Sequence, residues 1–165
     1  MDLHPRLLSH LRSGHVSKVV YGSIIGLALV LTLEAHPPGV GAVIGPLIAP
    51  GVAVALAELY SEWVGGRTRA SLGGEPEPMR EVVAATMAVG FGVAFPSVFF
   101  IASVLTPIDY DTAFGLAKWT GLGLIAGYGY LAARLSGGTR SAALVEATVV
   151  GVVAAFLILV KALLH

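Results

Sequence analysis

Five stretches of almost unbroken apolar sequence constrain this chain more than any other feature in it. A helix rises ~1.5 Å per residue, so a hydrocarbon core of ~30 Å takes ~20 apolar residues to cross. The stretches cover 19–35, 40–63, 82–105, 113–133 and 141–164. Each is continuously apolar rather than alternating, which selects helices over barrel strands. The expected fold is therefore all-α: a polytopic membrane protein with five transmembrane helices over 19–165, preceded by a segment over 1–18.

Composition agrees. Hydrophobic residues make up 56% of the 165 and charged residues 12%, about half the ~25% of a soluble domain. Mean hydropathy is +0.84. A soluble fold of this size leaves too much surface exposed to hide that apolar content. Net charge is zero, so the basic footprint of a nucleic-acid binder is missing. Without cysteine there is no disulfide, thiolate metal site or cysteine nucleophile. Neither a Ser-His-Asp set, a zinc pattern nor a phosphate loop is present, and the chain is not expected to be an enzyme.

The connectors carry turn chemistry. His36-Pro37-Pro38-Gly39 predicts a tight hairpin between the first two spans. Gly65-Gly66 and the stretch from Ser71 to Pro78 predict the longest loop, and Thr106 to Asp111 and Ser136 to Thr139 predict the last two. Arg6, Arg12, Lys18, Arg67, Arg69, Arg80, Arg134 and Arg140, eight of the ten basic residues, fall at one end of the spans. The positive-inside rule then puts the N-terminus in the cytoplasm and the C-terminus outside. Tyr21, Tyr60, Trp63, Tyr128 and Tyr130 lie near the same end, as an interfacial aromatic belt does. The first stretch is read as a span and not a cleaved leader, because Leu33-Glu34-Ala35 followed by two prolines makes a poor cleavage site. Leu3, Leu7, Leu8 and Leu11 near one face, with Arg6, His10 and Arg12 beside them, suggest an interfacial helix at the N-terminus.

Small residues four apart mark faces for close helix packing: Gly22 and Gly26, Gly41 and Gly45, Gly123 and Gly127, Gly151 and Ala155. Pro46 and Pro50 fall in the second span and Pro96 in the third, where kinks are expected.

Ionisable side chains in a span are costly and point to function. Glu58 and Glu62 lie toward the basic end of the second span, and Glu146 sits about six residues, ~8 Å, into the fifth. Met87 falls at a similar depth in the third, and Tyr60 stands between the two glutamates. Carboxylates suit hard divalent cations and a thioether favours softer transition metals, so these residues form a candidate transport or metal site. The plainer reading has Glu58 and Glu62 snorkelling to the interface and Met87 filling space. At the other end stand Glu34, Lys118, Asp109 and Asp111, where an ion pair between Lys118 and a carboxylate is the first expectation and a gate or proton relay the second.

Val20-Tyr21-Gly22 at the start of the first span and Ala57-Glu58-Leu59-Tyr60-Ser61 near the end of the second resemble motifs of the vacuolar iron transporter family, and Ser141 to Leu164 is similar to its last helix. The resemblance covers the membrane part; the carboxylate-rich cytoplasmic insert of that family, between spans two and three, is replaced here by a short loop. It implies a small cation or divalent-metal transporter, and because five short spans alone enclose little, a homodimer is the expected form of one. The whole chain also resembles small integral membrane proteins of high-GC bacteria, which implies the bacterial inner membrane. The competing expectation is a non-transporting accessory or scaffold subunit of a larger membrane complex, its partners being lipid and other membrane chains, with no nucleic acid.

Overall fold

The computed structural model describes residues 13–74, 78–135, 139–141, 143–145, 147–149, 151, 152 and 156. Over these residues the chain is helical, with no strand. The elements are α1 (Ser13–Ala35), a 3-10 turn (Val40–Val43), α2 (Ile44–Ser71), α3 (Met79–Ala94), α4 (Ser97–Leu105) and α5 (Tyr110–Leu135). The described residues from Arg140 onward are helical too. The expected interfacial helix before Ser13 and most of the fifth span lie outside the described residues.

Two helices are long and apolar enough to cross a membrane, over 16–35 and 41–71. The α3–α4 pair makes a third as a broken span, bent by 54°. At 26 residues α5 has the length, about 39 Å, but Gly115, Gly121, Gly123, Gly127 and Gly129 with Lys118, Thr120 and three tyrosines dilute its apolar character. The chain is thus a helical membrane protein with two to three clear spans among the described residues.

The prolines act differently according to position. Pro46 stands in the first turn of α2, where no intrahelical donor is needed, and Pro50 is carried inside α2 without a break. Pro96 does break the third span. Phe95 N–H still bonds Phe91 O at 2.8 Å, but the next bonds, Val98 N–H to Phe95 O and Phe99 N–H to Pro96 O, are three residues apart and start α4 afresh. Phe91, Phe95 and Phe99 stack along this bend at ring separations of 5.5 and 5.7 Å.

One boundary corrects the sequence reading. Gly65-Gly66 does not open a loop; α2 runs two further turns to Ser71. Arg67 stacks over Trp63 at 5.0 Å and Arg69 reaches Glu62, one and two turns earlier, and these contacts bracket the glycines. The helix stops where glycine permits it: Gly73 has φ +82°, its N–H bonds Ala70 O at 3.1 Å, and Gly74 N–H bonds Arg69 O at 2.9 Å, a Schellman closure.

Helix α1 is the centre of the bundle, packed against both α3 and α5, while α2 lies outside against α3. Burial reflects this: 44% of the α1 span is buried and only 17% of the α2 span. The α1–α3 crossing is glycine on glycine. A methyl group on Gly92 would stand 2.7 Å from Ser23 N and Val19 O, and one on Gly26 would stand 2.8 Å from Gly92 O and Val93 O. Backbone meets backbone there, as the Gly22 and Gly26 spacing predicts. Among the described residues a Cβ at Gly41, Gly45, Gly123, Gly127 or Gly151 meets nothing within 4 Å.

The hairpin end is sealed by a cluster of Val30, Val43, Leu47, Phe100, Ala113, Phe114 and Ala117. Phe100, Tyr110 and Phe114 meet edge to face at 4.8–5.9 Å, and the Tyr110 hydroxyl donates to Pro38 O at 2.6 Å. That bond ties the start of α5 to the α1–α2 hairpin.

Candidate functional site

Among the described residues, the paired charges on the spans fall into two groups, one at each end of the bundle. At the basic end, Lys18 of α1 stands between Glu58 and Glu62 of α2. Its Nζ bonds Glu58 Oε1 directly and lies 3.2 Å from Glu62 Oε1. Glu62 uses its second oxygen on Arg69, at 3.5 Å. Glu58 and Glu62 are one turn apart, so they share a face of α2 and one ammonium serves both. The three side chains are about three-quarters buried, at 23–25% exposure. A charge so placed is held by partners and not by solvent.

Lys18 is the residue sequence reasoning missed. Its charge served there only to orient the chain, because the first span was expected to begin at Val19. Helix α1 begins at Ser13 instead, which places Lys18 one turn inside it, between the buried Val16 and Val19. Among the described residues, neither Arg80, Arg134 nor Arg140 bonds Glu58 or Glu62.

At the hairpin end Lys118 of α5 bonds Glu34 of α1 at 2.5 Å, the ion pair expected from the sequence. Asp109 takes a structural place. Its Oδ1 accepts from Thr112 N–H at 2.8 Å and its Oδ2 from the Thr112 hydroxyl at 2.7 Å, which caps the first turn of α5. Those bonds, the hydroxyl first, hold the Asp109 carboxyl below its usual pKa. Asp111 is exposed in the same turn.

The remaining candidates do not gather. Met87 is 66% exposed, on the face of α3 shared with exposed Val83 and Phe91 and opposite the buried Val82, Ala85 and Val89. The structure thus turns Met87 away from the packed interior, where it was expected to line a site with Glu58. Tyr60 is also exposed and packs against Trp63 at 6.0 Å. Glu146 lies outside the described residues. Among the described residues no three of His, Asp and Glu converge as metal ligands, and the two carboxylates nearest to doing so are held by lysine.

Beside this cluster an apolar cavity of about 570 Å³ runs along α2, bordered by Leu56, Leu59, Tyr60, Trp63 and Gly66, with Arg67 and Arg69 at one end. Met79 and Val82 of α3 form its other wall. No family model, curated protein or solved structure matches the chain.

Proposed function

We propose that the chain is a five-span protein of the bacterial inner membrane, N-terminus in the cytoplasm and C-terminus outside, and that it serves as a non-transporting accessory or scaffold subunit of a membrane assembly. The observation that carries the role is the pairing of carboxylates with lysines: Glu34 with Lys118, and Glu58 and Glu62 with Lys18. A cation path needs carboxylate oxygens free to replace the water of a passing ion. Here one oxygen each of Glu34 and Glu58 and both oxygens of Glu62 bond lysine or arginine, and the ammonium of Lys18 repels a cation from the same place.

The exposed side of α2 supports association. Gly45, Ala49, Ala53, Ala57 and Ser61 recur every four residues along it and all are exposed. Small residues at this spacing let a second helix come close in lipid, where dispersion and not hydrophobicity drives the contact. The topology rests on the basic residues at one end and on the aromatic residues beside them.

Two experiments test the reading. Purification in native lipid followed by mass spectrometry is expected to recover a stoichiometric membrane partner, a second copy or a different chain. Reconstituted alone, the protein is expected to move no divalent cation into liposomes. Metal uptake that Glu58→Gln abolishes overturns the role in favour of transport. C-terminal reporter fusions active only in the cytoplasm overturn the topology.

A further inference from the structure

We propose that the cavity at the basic end of α2 binds one anionic phospholipid, its phosphate at Arg67 and Arg69 and an acyl chain along the apolar wall. Length, charge and wall chemistry converge on this occupant. From Leu56 to Ala70 the cavity follows fourteen residues of helix, about 21 Å. One leaflet with its headgroups is half of ~40–45 Å, the same length. The wall is apolar at Leu56, Leu59, Met79 and Val82, aromatic at Tyr60 and Trp63, and cationic only at Arg67 and Arg69. This is the order of a lipid read from tail to headgroup.

Charge selects an anionic headgroup. Glu62 also borders the cavity, but Lys18 and Arg69 hold it from either side. With Lys18, Arg67 and Arg69 set against Glu58 and Glu62, the cluster keeps one net positive charge. Arg67 carries it: its guanidinium lies over the Trp63 ring at 5.0 Å, and no carboxylate among the described residues pairs with it. A guanidinium stacked on an indole is held in place and keeps its N–H groups free for phosphate oxygens.

The inference requires the chain to lie in a bilayer but not the accessory role, and its test reads lipid alone. Trp63 is one of two tryptophans, and the other, Trp119, is 74% exposed on α5. In a Trp119→Phe background, nanodiscs of phosphatidylcholine carry a small fraction of lipid with brominated acyl chains, either phosphatidylglycerol or phosphatidylcholine. Brominated phosphatidylglycerol is expected to quench Trp63 at a lower mole fraction. Arg67→Gln with Arg69→Gln should weaken that preference about thirtyfold. Gly66→Leu probes the apolar wall separately. A Cβ at Gly66 meets nothing within 4 Å, so the helix accepts the change while the side chain fills the cavity and reduces quenching. Equal quenching by the two lipids, a preference unchanged in the arginine variant, or quenching unchanged in Gly66→Leu each overturns the proposal. A missing partner in the purification bears only on the accessory role.

Discussion

Lys18 and Glu58 are forty residues apart and belong to different helices, yet they form an ion pair that joins α1 to α2. The pair links α1, 44% of whose span is buried, to α2, 17% of whose span is, where direct packing between the two is sparse. Helix α2 is otherwise held through α3, at the approach of Gly51 and Gly90. Electrostatics thus supplies a fastening at the basic end of α2 that side-chain packing supplies at the hairpin end through Val43 and Leu47.

Removing one partner is therefore predicted to cost more than removing both. Lys18→Met leaves Glu58 and Glu62 facing each other without their shared cation, and should destabilise the detergent-solubilised protein by about 1–3 kcal/mol. Adding Glu58→Gln should recover part of the loss. A double-mutant cycle on thermal unfolding measures this, and additive losses would show that the pair does not couple.

The glycine crossing gives a steric prediction. A Cβ on Gly92 has backbone atoms of α1 2.7 Å away, and backbone cannot turn aside as a side chain does. Gly92→Ala should push α1 and α3 apart and cost about 1–3 kcal/mol. Gly123→Ala, where a Cβ meets nothing, is the control expected to leave the melting temperature unchanged or raised. Equal effects at the two positions would contradict the crossing.

What the sequence disclosed and what it withheld follow from the range of each force. The apolar runs and the hairpin at Pro37-Pro38 are local, and so is the break at Pro96; each was legible from neighbours in the chain. The Glu34–Lys118 pair was legible because both charges fall at one end of the spans. Gly65-Gly66 misled, because contacts from Trp63 to Arg67 and from Glu62 to Arg69 carry the helix across them. Which of the small-residue pairs packs depends on which helices become neighbours, and spacing alone holds no such information. The same holds for Met87: its depth was readable, but its direction depends on the face α3 gives to α1.

Two buried hydroxyls yield a prediction of opposite sign. Ser23 Oγ on α1 and Thr86 Oγ1 on α3 are buried with no hydrogen-bond partner among the described residues. An unmet hydroxyl there is a penalty its removal relieves. Ser23→Ala and Thr86→Val should leave the melting temperature unchanged or raise it. A fall of several degrees in either variant would mean that the hydroxyl has a partner in the membrane, such as an ordered water or a second chain.

The cap on α5 predicts a dependence on pH. Asp109 accepts two hydrogen bonds from Thr112, and these favour its ionised form, so its pKa in the folded chain lies below that in the unfolded chain. With the folded value the lower one, the cap contributes fully above the unfolded pKa, and its contribution is lost as pH falls through the folded value. The wild type should therefore lose melting temperature faster than Asp109→Asn as pH is lowered through the acidic carboxylate range. The asparagine keeps an acceptor for the Thr112 N–H but carries no charge to titrate. Above that range the difference between the two proteins should be constant. Parallel acid profiles for the two would remove Asp109 as the titrating group and leave it an uncharged contributor to the turn.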